Sequence, residues 1–412
     1  MIKKLGMILL GLALTGLTGA RTATTKEADG PSGPGNEGYR GGTLKTGNDS
    51  VQNDVPDEKD NAQVSAEELG SKSRFERVPA DEQRLIREMA DILQEKMSRD
   101  YRKGQTRRDA HPKTLACLQA EFIVEPNIPA ALKVGIFAAP QTYPAWIRIS
   151  SSSGRIQSDK VKDVRGLAIK ITGVKGERFE RQNEEKETQD FLLMSHPVMP
   201  LGTVELFHDA VYYSIKWSPM VLLSRFVLSG NFHILNELRK ARQNQTSPLD
   251  IRYWSTTPYL CGPDHCVKYS LVPTSHLKSS LPALLTDDYL AENMEKHLAA
   301  GEASFDFMMQ LQKDPGRMPV EDAGVEWRED ESPFIKVATL RIPAQVFRIR
   351  EREDLAEDLS FSPAHSLMAH RPIGGVNRAR VEIYRRLSEF RHKQNNRPLI
   401  EPRNQPFEPR PE

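Results

Sequence analysis

The chain reads as an α+β protein whose β content gathers in one antiparallel module, a sheet or a closed barrel. Short β-rich runs follow one another closely, with Pro, Gly, Ser and Lys/Asp turns between them. Stretches of helical character lie before and after these runs, and the first is amphipathic. No internal repeat of a fixed period is visible in the 412 residues.

The N-terminus comes first. Met1 to Ala20 places Lys3 and Lys4 ahead of a short apolar run that ends in small residues, the pattern of a secretory signal peptide. That run is too short to span a bilayer comfortably, and no cysteine stands near Gly19-Ala20 to accept a lipid. The reading implies a secreted or periplasmic protein. Residues 21–73 are Gly, Ser, Thr, Asn, Asp and Glu with almost no aliphatic or aromatic content. They bury too little apolar surface to offset ordering entropy and read as a disordered linker. The folded domain is expected over residues 74–402, with a flexible tail at 403–412.

Val78 to Met97 opens with proline and acidic residues, then sets Leu85, Ile86, Met89, Ile92, Leu93 and Met97 on one stripe, which predicts an amphipathic docking helix. Strands are predicted at Leu118–Val124, Ala145–Ser150, Gly166–Ile171 and Phe191–Met194. Leu206 to Gln243 reads as helical. Further strands are predicted at Val267–Val272, Phe305–Leu311 and Phe334–Ile342, with a helix from Thr286 to Ala300. A Pro/Gly loop then leads into a last helix, Asn377 to Asn395.

Lys+Arg at 57 against Asp+Glu at 56 leaves a formal charge of +1, so no net field draws the chain onto nucleic acid or an anionic membrane. Of the three cysteines, Cys261 and Cys266 frame a Gly-Pro-Asp turn. Export makes a local disulfide reasonable there, while a zinc site with His265 lacks a second ligand pair. Glu184 to Glu187 reads as a solvated loop. The basic run Arg378 to Arg391, with Glu382 and Glu389 among it, reads as a solvated helix face.

Among ten histidines, His111 stands out by context. It follows Arg107-Arg-Asp-Ala110 just ahead of the first strand, where a loop can aim a side chain into a barrel mouth. In the next strand, alternation puts Arg148 and Ser150 on one face. Asp163-Val-Arg165-Gly166 then makes a charged corner at which the backbone can approach closely.

These segments resemble the haem catalase family. Asp109-Ala-His111-Pro-Lys113 is similar to its distal-histidine loop, Arg148-Ile-Ser150 to its Arg-Phe-Ser strand, and Lys162-Asp-Val-Arg165-Gly-Leu-Ala168 to its Arg-Asp-Pro-Arg-Gly-Phe-Ala corner. Val267-Lys-Tyr269, Asp288-Tyr-Leu290, Phe305 to Gln310 and Phe334 to Val337 extend the likeness over roughly residues 100–377. The resemblance implies an antiparallel eight-stranded β-barrel with surrounding helices. It also implies haem b as cofactor and a hydrogen peroxide or organic hydroperoxide substrate, with an electron donor that the sequence does not name. By it, His111 is the distal acid/base, Ser150 orients His111, and Arg148 and Arg165 contact the cofactor. Allene oxide synthases that rearrange fatty-acid hydroperoxides share this fold, and a non-catalytic haem-binding barrel is a further alternative.

The family's distal asparagine falls on Thr188, with Gln189 beside it. Its iron-ligating tyrosine belongs to an Arg-x-x-x-Tyr pattern ahead of an Arg-Leu-Gly-x-Asn stretch, which resembles Arg371-Pro-Ile-Gly374-Gly-Val-Asn377. Counting back from Gly374 by the family's interval lands on His365, with Phe361 at the arginine's place. His365 is accordingly expected to bind the iron. His370 and Tyr384 are the fallbacks, and Tyr384 reads as a helix packing residue.

Overall fold

The computed structural model describes residues 73–180, 187–400 and 402. The expected leader, the expected linker up to residue 72, most of the Glu184–Glu187 run and the expected tail lie outside the described residues.

The stripe read from Leu85 to Met97 forms α1 (Glu82–Asp100), and all six of its apolar residues are buried. Four strands follow, β1 (Lys113–Val124), β2 (Thr142–Ser151), β3 (Arg165–Thr172) and β4 (Thr188–Met194). The stretch predicted as one helix from Leu206 to Gln243 is three. These are α2 (Val204–Tyr212), which runs into a π-turn at Tyr213–Trp217, then α3 (Pro219–Leu228) and α4 (Phe232–Ala241). The breaks have local causes. Pro219 has no N–H to continue a ladder and starts α3, where Ser218 caps Val221 N–H. Gly230 takes φ +73 between α3 and α4.

The remaining elements are β5 (Tyr253–Trp254), β6 (Tyr259–Cys261), β7 (His265–Pro273), α5 (Tyr289–Ala300), β8 (Ala303–Leu311), β9 (Ile335–Ile342), α6 (Arg350–Asp358) and α7 (Gly375–Asn395). Neither β5 nor β6 is long enough to show a period of two, and α6 is charged almost throughout. All three escaped the sequence reading.

Antiparallel pairing runs β5-β4-β3-β2-β1-β9-β8-β7. It returns to β5 through Tyr253 opposite Leu271 and Trp254 opposite Ser270, which closes an eight-stranded barrel. Strand β6 hangs on β7 as a hairpin arm. Inside the ring, Phe122, Phe137, Phe191, Phe307 and Tyr269 stack edge-to-face and offset, with ring centroids 4.8–6.4 Å apart. The interior is therefore a packed core, and a ligand site must lie on the barrel's outer face or rim.

Two expectations are corrected. The register sets Cys261 opposite His265 and Leu260 opposite Cys266, so the two thiols project from opposite faces of the hairpin. Cys261 joins the barrel core, Cys266 joins Met318, Trp327 and Ile373 outside it, and both are free thiols. Neither a disulfide nor a zinc pair forms, and among the described residues no cluster of His, Cys, Asp and Glu is arranged to hold a metal ion. The Arg378–Arg391 run is also not uniformly solvated. Arg385 pairs with Glu382 and Glu389 at the surface, whereas Arg378 and Arg391 are buried.

Candidate active site on the barrel face

His111 sits in the turn between α1 and β1 and takes φ +59, a conformation uncommon for a residue with a side chain. Contacts on every side hold it there. Before it, Asp109 forms a buried 2.6 Å ion pair with Lys96 of α1, and Arg108 donates to Ala356 O and Leu359 O at the end of α6. Its own carbonyl accepts from Arg148 Nη2 at 2.7 Å. After it, a register shift between Thr114 and Ala116 bulges β1 and lets Thr114 Oγ1 accept from the same Arg148 nitrogen at 2.7 Å.

The imidazole packs on β3 over Gly166. A Cβ there would lie 2.7 Å from His111 Cε1 and 2.8 Å from Nδ1, so only glycine leaves room for the ring. From β2, Ser150 Oγ meets His111 Nδ1 at 3.0 Å. The predicted His111, Arg148 and Ser150 are thus brought together. Burial pushes His111 down to about 3, and the guanidiniums of Arg148, Arg380 and Arg108 act in the same direction. The ring is neutral at ordinary pH. A neutral imidazole with Nδ1 engaged leaves Nε2 able to take and return a proton.

Cations crowd this site. Arg148 is 4% exposed, and among the described residues it forms no ion pair and its buried Nε has no hydrogen-bond partner. Burial and the neighbouring Arg108 push its pKa well down. Glu357 is the one carboxylate acting on both, 3.4 Å from Arg108 Nη1, and it also faces buried Arg391. Three guanidiniums face two carboxylates, Glu357 and Asp358, and Arg108 Nη1 and Arg148 Nε are buried without a hydrogen-bond partner among the described residues, which fits an anionic group carrying its own carboxylates.

Helix α7 supplies the other cation near His111. Arg380 donates to Thr257 Oγ1 and Asn377 Oδ1, both at 3.1 Å, and its guanidinium lies 5.4 Å from the centre of the Tyr384 ring. Both Tyr384 and Tyr259 favour its charged form. Arg380-Val-Glu-Ile-Tyr384 is itself an Arg-x-x-x-Tyr pattern, one helical turn apart on a face that acts on His111. The spacing was present in the sequence. Counting from Gly374 led to His365 and left Tyr384 as a fallback.

The structure does not bring the remaining predicted residues to His111. His365 Nδ1 lies 2.9 Å from Asp190 Oδ2 and 3.1 Å from Lys170 Nζ in a buried cluster. Lys170 is four residues along β3 from Gly166, roughly 13 Å at strand spacing. Phe361 packs beneath Lys170, 5.4 Å from its Nζ, in the cluster of Cys117 and Trp146. The register pairs Gly166 with Met194 and Thr172 with Thr188. Thr188 therefore lies roughly 20 Å along the sheet from the imidazole. Gln189 next to it accepts from Leu367 N–H at 3.0 Å and holds a loop. Arg165 alternates with Gly166 onto the other face of β3, where it donates to Gln245 and Ser151. His370 is a packed core histidine. Its Nε2 accepts from Ile136 N–H at 3.3 Å and its ring meets Phe137 edge-on.

The closed barrel, with helices packed outside it and a histidine–serine pair on its face, is a catalase-like fold. Solved structures of that class are similar to the chain. A bacterial catalase matches at 15% identity and TM-score 0.54, over 89% of this chain and 71% of that one. A fungal catalase matches at 15% and 0.51, over 69% and 59%. Catalase A from Saccharomyces cerevisiae matches at 14% and 0.51, over 77% and 67%. The chain thus spans 59–71% of the length of these relatives. No family model matches it, and no curated protein does.

Proposed function

We propose that this chain binds haem b on the outer face of its barrel and activates a peroxide there, hydrogen peroxide or an organic hydroperoxide, outside the cytosol. The observation that carries the reading is Arg148, a buried guanidinium with an unsatisfied N–H and no ion pair among the described residues, which donates to the carbonyl of His111 beside the His111–Ser150 contact. Tyr384 would ligate the iron and Arg380 would hold the charge of its phenolate. Arg108 and Arg148 would take the cofactor's carboxylates. When bound, the haem supplies the redox chemistry.

The protein's own part is proton placement. Nδ1–H of His111 donates to Ser150 Oγ, which leaves the Nε2 lone pair free. Nε2 removes the proton from the inner oxygen of the peroxide and returns it to the departing oxygen, so that oxygen leaves as water or an alcohol. With Thr188 and Gln189 remote, neither the expected hydroxyl nor the expected amide assists His111. That favours single peroxide activation with an external electron donor over rapid disproportionation. The leader-like Met1–Ala20 supports action after export.

Titrating the purified protein with haem tests the assignment. Tyr384→Phe is expected to remove the phenolate-to-iron charge-transfer absorption, and His365→Ala to keep it. A spectrum altered by His365→Ala and unmoved by Tyr384→Phe would reverse the ligand assignment, and failure to take up haem would overturn the reading. Peroxide-dependent dye oxidation, compared with oxygen release, separates peroxidase from catalase chemistry.

A further inference from the structure

A second surface feature lies at α3 and α4. Helix α3, Pro219-Met-Val-Leu-Leu-Ser-Arg-Phe-Val-Leu228, is apolar except for Ser224 and Arg225, yet only Leu222 and Phe226 are buried in it. Those two pack with Leu201, Ala210, Ile234 and Leu238. Among the described residues nothing covers its other face. Leu228 is 87% exposed, Trp217 in the preceding π-turn 62% and Phe232 at the start of α4 58%, with Met220 and Val227 also exposed. Five of the large exposed apolar side chains therefore gather within sixteen residues, whereas a water-facing helix pair would carry polar groups there.

Charge selects the occupant. From Ala210 to Asn236 the chain has no Asp or Glu, while Lys216 and Arg225 lie within that stretch and Arg239, Lys240 and Arg242 follow it around the single Glu237. Lys216, Arg225 and Lys240 pair with Glu95, Asp209 and Glu237 at the surface, contacts weak enough to exchange for phosphate. A second copy docked face to face would set Lys216 and Arg225 against their own equivalents. Anionic headgroups over an apolar layer complement both features.

We propose that the Trp217–Phe232 helical hairpin docks the protein on an anionic lipid surface, with Leu228, Trp217 and Phe232 entering the interface and the basic residues resting at headgroup level. No step of this rests on the haem reading, although a lipid hydroperoxide substrate would gain from it.

The test is quenching of Trp217 emission by brominated lipids in vesicles of phosphatidylcholine with and without phosphatidylglycerol. The full chain and its Trp217→Phe variant are compared, so that the other three tryptophans cancel. Residues 1–20 contain no tryptophan, so binding through the leader does not contribute to this difference. The Trp217 component is expected to fall by half or more on anionic vesicles and to be restored by Leu228→Glu with Phe232→Glu, the circular dichroism remaining unchanged. Absence of quenching on anionic vesicles would overturn the proposal, and equal quenching on neutral ones would overturn the role of charge. A dimer that these substitutions convert to monomer, with no quenching by lipid, would replace the membrane with a second copy.

Discussion

At the scale of single residues, the site depends on how little room His111 has. Gly166→Ala places a methyl group inside contact distance of the ring and 3.2 Å from Ser150 Oγ. The ring must leave Ser150. The expected outcome is a stability loss of about 1–3 kcal/mol from overpacking. A fall in peroxide-dependent turnover of about 100-fold or more is expected with it, on the scale of a lost general base. Thermal unfolding and steady-state kinetics check the two separately. Burial also makes His111 an acid liability. Its folded value of about 3 lies below the ordinary 6.5, so as pH falls below about 6.5 the unfolded chain binds a proton that the folded chain refuses. Stability then decreases until pH approaches 3 and levels off below it. His370 and His392, both pushed down to about 4 chiefly by burial, act in the same direction over a narrower window. Urea unfolding between pH 6.5 and 4.5 should show a shallower decline in His111→Gln than in the parent, and equal slopes would contradict the assignment.

At the scale of elements, α7 matters most because it carries both Arg380 and Tyr384. Its first turn is tied to the N-terminal part of the fold by Arg378, whose guanidinium meets Glu82 at 2.6 Å, Glu76 at 2.6 Å and Glu321 at 2.8 Å. Glu76 also binds Arg371 and the N–H of Gly374. Gly374 takes φ +88 and has Val320 O only 2.4 Å from where a Cβ would stand, so the chain enters the helix through a position that only glycine fills. Arg378→Met removes the cation among three carboxylates, two of them fully buried. The expected loss is about 3–5 kcal/mol, the range for breaking a buried pair, measured by denaturant unfolding. If α7 also orients Tyr384, haem affinity should fall in the same variant.

At the scale of the whole molecule, the barrel is a filled support. Phe307 lies 4.8 Å from Phe191, 5.0 Å from Phe122 and 5.4 Å from Tyr269, ring centre to ring centre, with no exposed surface. Phe307→Ala is expected to cost about 3–5 kcal/mol through the cavity it leaves. Because the ring faces the interior and His111 the outside, the haem spectrum of that variant should match the parent's. A shifted spectrum would show that interior packing reaches the site. No helix among the described residues is long and apolar enough to cross a membrane.

What the sequence determined by itself is the part written in local periodicity and short spacing. The stripe of α1, most of the long strands, and the shared face of Arg148 and Ser150 were legible because helical and strand periodicity assign side chains to faces before the fold is known, while the grouping of His111 with them came from the resemblance to the catalase motifs. The tertiary structure decided what depends on register and on loop length. Thr188 and Gly166 are neighbours in the family's motif order, yet the pairing of β3 with β4 separates them by the length of a strand. Cys261 and Cys266 flank a turn, but their register turns them apart. A count along an irregular loop carries no information about where the chain goes, and His365 lies with Asp190 and Lys170 away from His111, whereas the four-residue spacing of Arg380 and Tyr384 on a helix puts both on one face. The short closing strand β5 was invisible for a related reason. Two residues show no period, and only the edges of β4 and β7, brought together by the rest of the barrel, make Tyr253 and Trp254 a strand.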